Sequence, residues 1–206
     1  MPLSPPAPRR HYHTRRIECH GYHRDDGLWD IEGHMTDVKS YSFENAHRGE
    51  VEAGTPVHEM WLRLTLDDGF EIKAAEASTE HGPYDACPAI APAYAKLVGV
   101  RIGPGFRKAV RDRVGGTAGC THLTELLYPM ATVAFQTIVG SGERARRDAG
   151  LAPKDRSPGA ADGASRAKPG LIDTCHAYRA DGPVVRREWP DFFKGAEARR
   201  AETNRG

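Results

Sequence analysis

Net charge, long apolar runs and closely spaced cysteines are all scarce in this sequence. Its 206 residues include 29 basic and 28 acidic residues, so no overall electrostatic field favours nucleic acid or an anionic membrane surface. No apolar run approaches the ~20 residues that a membrane-spanning helix needs. The first residues also lack the hydrophobic region of a secretory signal. We therefore expect a cytoplasmic protein with no nucleic-acid or membrane partner.

The cysteines are few and are widely separated along the chain. They are Cys19, Cys87, Cys120 and Cys175. In a cytosolic chain this pattern suits free thiols or metal ligands better than disulfides. Neither a Cys-x-x-Cys pair nor a His-Glu-x-x-His helix is present, so only folding can bring metal ligands together.

Composition changes along the chain predict one folded domain with appended segments. Residues 1–14 are rich in proline and basic residues and predict a disordered arm. Residues 15–140 predict a single α+β domain, and residues 141–170 have the composition of a flexible linker. Residues 171–206 regain aromatic side chains, which predicts docking of this segment on the core or on a partner subunit.

An alternating pattern after residue 28 predicts a strand with one apolar face. The apolar positions are Trp29, Ile31, Gly33 and Met35. Asp37, Lys39 and Tyr41 are candidates for an extension of this strand. The other face carries acidic and histidine side chains, including Glu32. We expect that face to be solvated, as is usual in antiparallel sheets, with a cleft lining as the alternative.

A hairpin is predicted next, with residues 57–67 as its first strand and residues 70–79 as its second. Asp68 and Gly69 form the turn, because these residue types tolerate the positive φ of tight hairpins. His58 begins the apolar face of the first strand. A histidine there must find either a hydrogen-bond partner or a metal ion.

Helical patterns follow the hairpin. A helix is expected after Cys87, and a short basic helix at residues 106–114. The arginine-rich side of the basic helix, which includes Arg107, is solvated or holds a carboxylate or phosphate of a ligand. Apolar spacing then predicts a long helix from Thr121 to near Gly140.

A glycine-rich loop at residues 115–119 leads into that long helix. It delivers Cys120, His122 and Glu125 to the first helical turn. The positive end of the helix dipole favours the thiolate form of a cysteine, which attacks electrophiles and binds metals. His122 and Glu125 are three residues apart and share a helix face, where a carboxylate orients an imidazole. We interpret this loop as a functional site, against the alternative of a buried thiol and a capping histidine.

The order of hairpin, cysteine loop, helices and final helix resembles the iron–sulfur scaffold fold of IscU and the NifU amino-terminal domain, over about residues 54–138. The resemblance implies an α+β fold with an antiparallel sheet packed on one side by helices, here with an N-terminal strand extension. It also implies metal ligands at His58, Cys87, Cys120 and His122. The scaffolds carry cysteine where this chain has His58.

A closer resemblance is to a bacterial domain-of-unknown-function family, number 2889. It is carried by the runs DGLWDIEG at 26–33, VHEMWLRL at 57–64, GCTHLTE at 119–125 and DTCHA at 173–177. This resemblance spans about residues 16–194 and implies no reaction.

Three functions are compatible with these features. The first is a small-molecule enzyme of the lyase or hydrolase type, acting on an aromatic or acyl compound, with zinc, iron or no cofactor. The second is a metal or iron–sulfur carrier without catalysis. The third is a binding or structural module whose cysteines are simply buried. Homo-oligomer formation is left open.

The enzyme interpretation, which we favour, assigns residues to roles. Its catalytic candidates are Cys120, His122, Glu125 and His58. Its substrate-binding candidates are Trp29, Glu32, Trp61, Tyr84 and Arg107. Its metal-binding candidates are His58, Cys87, Cys120 and His122.

Overall fold

The computed structural model of the chain describes residues 3–148, 150 and 169–195. Residue contacts divide the chain into two compact units, residues 1–153 and residues 154–206. None of the helices in the described part of the chain combines the length and apolarity that a bilayer crossing requires.

The first unit contains six strands, β1 (His13–His23), β2 (Trp29–Lys39), β3 (Phe43–Asn45), β4 (Gly49–Val51), β5 (Pro56–Leu66) and β6 (Ile72–His81). Four of them form an antiparallel sheet in the order β1-β2-β5-β6. A separate two-stranded ribbon is formed by β3 and β4.

Alternation along β2 and β5 places apolar side chains on one face of the sheet. Trp29, Ile31 and Met35 of β2 are buried there. In β5, Met60, Leu62, Leu64 and Leu66 are buried on the same face. The opposite face carries polar side chains, as expected for an antiparallel sheet that is covered on one side.

The helices cover the apolar face. A 3-10 helix spans Cys87–Leu97, α1 spans Phe106–Val114 and α2 spans Thr121–Asp148. Leu123, Leu126 and Leu127 of α2 join the apolar side chains of β2 and β5 in one core. The predicted α+β class, with an antiparallel sheet packed on one side by helices, is confirmed.

Helix α2 lies very close to β2 at Gly33. A Cβ atom at this position would lie 2.6 Å from Sδ of Met130 and 2.9 Å from Cγ of Leu126. The absence of a side chain therefore lets the helix approach the centre of the sheet. This approach brings the start of α2 over the end of β2.

Some element boundaries differ from the expected ones. Strand β1 begins at His13, inside the segment predicted as a disordered arm, and pairs with β2 along its whole length. Helix α2 continues to Asp148, past the end expected near Gly140. Arg144 and Asp148 form an ion pair at helical spacing that favours this extension.

The described part of the second unit, residues 169–195, contains a short helix α3 (Pro183–Glu188). Ile172, Ala180 and Val185 form a small apolar cluster with three aromatic side chains packed against it. These aromatic residues are Trp189, Phe192 and Phe193. The docking of this segment on the core or on a partner subunit stays a prediction.

Candidate functional site

A carboxylate is buried where three strands of the sheet meet the start of α2. In the sheet register, Asp37 of β2 stands between Arg15 of β1 and His58 of β5. Residues directly opposite each other in an antiparallel ladder point to the same face. All three therefore lie on the helix-covered face, and Asp37 retains only 1% of its exposure.

Hydrogen bonds saturate the Asp37 carboxylate. Arg15 donates from Nε to Oδ1 at 2.8 Å and from Nη2 to Oδ2 at 2.7 Å. His13 Nε2 lies 2.8 Å from Oδ1, and His58 Nδ1 lies 3.1 Å from Oδ2. A carboxylate offers about four lone-pair positions, so all of them have a donor in this arrangement.

The hydrogen bonds determine the charge of Asp37. Burial by itself would raise the pKa of the carboxyl group. The hydrogen bonds from Arg15 and His13 outweigh burial, and together with the positive charge of Arg15 they hold the pKa well below its usual range. Asp37 is therefore an ionised carboxylate at neutral pH.

The imidazoles of His58 and His122 lie side by side. Their ring centroids are 3.9 Å apart, with an angle of 35° between the ring planes. His58 reaches this position from the beginning of β5, and His122 from the first turn of α2. The structure thus joins two residues that the sequence assigned to one site.

A buried tyrosine fixes the start of α2. Tyr94 Oη accepts the backbone N–H of Cys120 at 3.0 Å and lies 2.8 Å from the carbonyl oxygen of the same residue. Its other contact is Thr124 Oγ1 at 2.9 Å. Gly119 permits the tight entry into the helix, because a side chain there would collide with the carbonyl oxygen of Val114.

Both imidazoles are neutral at neutral pH. Burial lowers the pKa of His58, and the nearby His122 lowers it further, against the opposing effect of Asp37. Burial also lowers the pKa of His122, with a further contribution from the positive charge of Arg15. Because the ionised Asp37 only accepts hydrogen bonds, His58 carries its proton on Nδ1 and keeps a lone pair on Nε2.

The other catalytic candidates lie at the edge of this group. Glu125 is exposed, and its Oε2 accepts a hydrogen bond from Arg15 Nη1 at 2.9 Å. Cys120 Sγ lies 3.9 Å from His122 Nδ1. Arg15 thus connects Asp37 to Glu125, and Cys120 borders His122 from the loop side.

The same site contains a set of potential metal ligands. Asp37, His58 and His122 each offer one ligand atom, and these atoms lie within 4.8 Å of one another. Among the described residues, no other group of three or more histidine, cysteine, aspartate or glutamate side chains meets this distance limit. Cys87 and Cys120, which were also expected as ligands, are not members of it. Cys87 begins the 3-10 helix, with its side chain against Gly82.

Two of the substrate-binding candidates are on the polar face of the sheet. Glu32 pairs with Arg63, with 2.7 Å between Oε1 and Nη2. Trp61 stacks on His34, with ring centroids 3.7 Å apart, and is 42% exposed. This face is opposite to the one that carries Asp37 and His58.

The remaining candidates have other partners. Trp29 is at the far end of β2 from Asp37, and its Nε1 donates to Asp68 Oδ1 at 2.9 Å. Tyr84 is exposed and makes an edge contact with His47. Arg107 lies over the ring of Tyr128, with Cζ 4.4 Å from the centroid. None of these contacts involves the imidazole pair.

The sequence interpretation did not identify Asp37, Arg15 or His13 as functional residues. A signal for Asp37 was present, because it continues the every-second-residue spacing of Trp29 and Met35 on the buried face. A charged residue at such a position requires a partner. Arg15 and His13 had no comparable signal, since they precede the only two apolar side chains on the covered face of β1, Ile17 and Cys19.

The matching family model covers residues 13–136, and the chain therefore belongs to the family described as protein of unknown function DUF2889. The resemblance drawn from the short motifs is confirmed over this range, which contains three of the four runs and does not reach DTCHA at 173–177. The matched region includes Asp37, His58 and His122. No curated protein and no solved structure is significantly similar to the chain. The resemblance to the IscU and NifU scaffolds stays a prediction.

Proposed function

For this member of the DUF2889 family, we propose an enzyme that acts on a small molecule by hydrolysis or lyase chemistry. Asp37, His58 and His122 form the centre of the proposed active site. The observation that carries the proposal is the pair of imidazoles 3.9 Å apart, one of which is hydrogen-bonded to a buried carboxylate.

A buried charge that serves only stability is expensive to maintain. Removing two charges from water costs desolvation energy, and the attraction between the charges often does not offset this cost. Here the carboxylate is buried beside two half-buried imidazoles, whose pKa values are both lowered. Shifted ionisation equilibria of several neighbouring groups are characteristic of functional sites.

The arrangement suits proton transfer. The hydrogen bond from His58 Nδ1 to Asp37 fixes the ring and leaves Nε2 as the proton acceptor. In hydrolysis, water adds to an acyl carbon and gives its proton to Nε2. The acyl–heteroatom bond then breaks, and the leaving group takes that proton. In a lyase reaction, the same nitrogen takes a proton from carbon and returns it to the departing oxygen.

The broader expectations from sequence belong to the same proposal. We place the enzyme in the cytoplasm with a small molecule as its partner, and with neither nucleic acid nor membrane as a partner. The balance of 29 basic and 28 acidic residues supports this assignment.

A substrate panel with matched variants tests the proposal. The panel contains p-nitrophenyl acyl esters, acyl thioesters and α,β-unsaturated aryl acids, followed by release of nitrophenol or thiol and by ultraviolet absorbance. Loss of a general base typically costs at least about 100-fold in rate. We expect such a loss in His58→Gln, and a clear loss in His122→Asn because its ring packs against that of His58. The control His20→Gln, an exposed position in the same sheet, should keep wild-type activity. Full activity of the first two variants would contradict the proposal.

A metal or iron–sulfur carrier is the second candidate. The contact that favours it is the 3.9 Å separation between Cys120 Sγ and His122 Nδ1, which places a thiol beside an imidazole. A carrier would transfer its metal to an acceptor chelator or apoprotein without turning over any compound of the panel. Loss of that transfer in Cys120→Ser, together with an inactive panel, would favour the carrier over the enzyme.

A further inference from the structure

The candidate active site contains the donor atoms of a metal centre. Asp37 supplies a carboxylate, and His58 and His122 supply imidazole nitrogens, all within 4.8 Å of one another. Metal–ligand bonds of about 2.0–2.2 Å place neighbouring ligand atoms closer than this limit, so small side-chain rotations complete the site. The ligands come from β2, β5 and α2, three elements held by one core.

The chemistry of the donors selects the ion. Imidazole and carboxylate ligands suit zinc and ferrous iron, whereas calcium and magnesium prefer oxygen ligands alone. Two imidazoles and one carboxylate are a recurrent set in catalytic zinc sites and in mononuclear iron sites, which keep open coordination positions. An open position admits water or a substrate oxygen.

Arg15 provides the positive charge that faces Asp37, where a metal ion would otherwise bind. Its guanidinium group contacts both carboxylate oxygens and extends to Glu125. Since every lone-pair position of Asp37 has a donor, a metal ion must displace at least one of these hydrogen bonds, and His58 must present to the ion a nitrogen without a proton. Arg15 is the mobile competitor, because its side chain is 35% exposed and Glu125 offers it another carboxylate.

We infer that Asp37, His58 and His122 hold one divalent zinc or ferrous ion, and that Arg15 competes with this ion for Asp37. The inference deepens the proposed function and rests on it for the catalytic meaning of the site. With the metal bound, both imidazoles are ligands, so the ion takes over from His58 the activation of water or of a substrate carbonyl. Arg15, displaced from Asp37, keeps its ion pair with Glu125.

Metal titration of the untagged full chain tests this inference. The protein is stripped with chelator, and Zn²⁺ affinity is measured by competition with a chromophoric chelator. Co²⁺ is the spectroscopic probe, because its visible bands report coordination geometry and a near-ultraviolet charge-transfer band reports thiolate ligation. We expect one ion per chain and no thiolate band, since no cysteine belongs to the ligand group.

Variants separate ligands from neighbours. Substitution of residues that merely support a ligand costs about 10–100-fold in affinity, so loss of a ligand should cost at least about 100-fold. We expect this loss in Asp37→Asn, His58→Gln and His122→Asn, with no change in His20→Gln. Arg15→Gln should bind Zn²⁺ about tenfold more tightly, because a nearby positive charge is removed. Circular dichroism checks the fold of each variant, and His122→Asn remains decisive if Asp37→Asn does not fold.

Several results would overturn the inference. They are the absence of stoichiometric binding by the wild type, a thiolate band, unchanged affinity in any folded ligand variant, and weaker binding by Arg15→Gln. Failure of the proposed function is distinguishable from these results. Turnover of the panel by the chelated protein would support the proposed enzyme and contradict the metal inference. Stoichiometric metal binding without turnover of any compound would support the metal inference and contradict the proposed enzyme.

Discussion

Replacing the buried carboxylate by its neutral isostere should strongly destabilise the metal-free protein. Asp37→Asn removes the charge that Arg15 and His13 face, and it turns an amide N–H toward one of their donors. Removal of one partner from a buried ion pair costs about 3–5 kcal/mol. Arg15 is 35% exposed and recovers part of its hydration, so we expect a loss of about 2–3 kcal/mol in the free energy of unfolding.

Urea unfolding followed by circular dichroism, with chelator present, measures this loss. With a dependence of about 2 kcal/mol per molar urea, the midpoint should fall by about 1–1.5 M. The matched control is Glu32→Gln, a carboxylate in the same strand whose partner Arg63 is on the polar face. Because exposed ion pairs contribute about 0.2–1 kcal/mol, the control should move the midpoint by less than about 0.5 M.

One result would refute this reasoning. If Asp37→Asn unfolds within about 0.3 M urea of the wild type, the hydrogen bonds to the carboxylate contribute little to stability. Asp37 would then not be the group that holds Arg15 and the two imidazoles in place, as the proposed enzyme and the proposed metal site both require.

The remaining predictions concern packing, helix start and pH. Gly33→Ala should lower the free energy of unfolding in urea by about 1–3 kcal/mol, because the new methyl group would lie 2.6 Å from Sδ of Met130. An unchanged midpoint would contradict the close approach of α2. Tyr94→Phe should cost about 1–2 kcal/mol and weaken amide-exchange protection at the start of α2, because the buried hydroxyl group is removed; wild-type protection there would contradict its role. Stability of the metal-free protein should decline as the pH falls below about 6.5, because His58 and His122 have lower pKa values when folded than when unfolded. Urea midpoints that stay level between pH 7.5 and pH 5 would exclude that linkage.

The parts of the fold with a local periodic signal were predictable. Alternation identified β2 and the β5–β6 hairpin, and helical spacing identified α1 and α2. His58 was correctly recognised as a polar residue on an apolar face that needs a partner. Asp37 was predicted only as an extension of β2. Its contact with His58 could not be predicted, because the pairing of β2 with β5 joins residues far apart in the sequence.

The parts without a local signal were not predictable in the same way. Strand β1 has only Ile17 and Cys19 as apolar side chains on its covered face, so neither the strand nor the role of Arg15 could be recognised from alternation. The aromatic substrate-binding candidates were chosen by composition, which carries no distance information. Trp61 is consequently on the opposite face of the sheet, and Trp29 is at the other end of β2.

The most direct test of the central claim is a measurement of the two imidazoles themselves. Long-range proton–nitrogen correlation spectra of the metal-free protein at pH 7, assigned with His58→Gln and His122→Asn, report the charge and tautomer of each ring. The structure predicts that both rings are neutral and that His58 carries its proton on Nδ1, where it donates to Asp37. A charged His58 ring, or one with its proton on Nε2, would contradict the site described above.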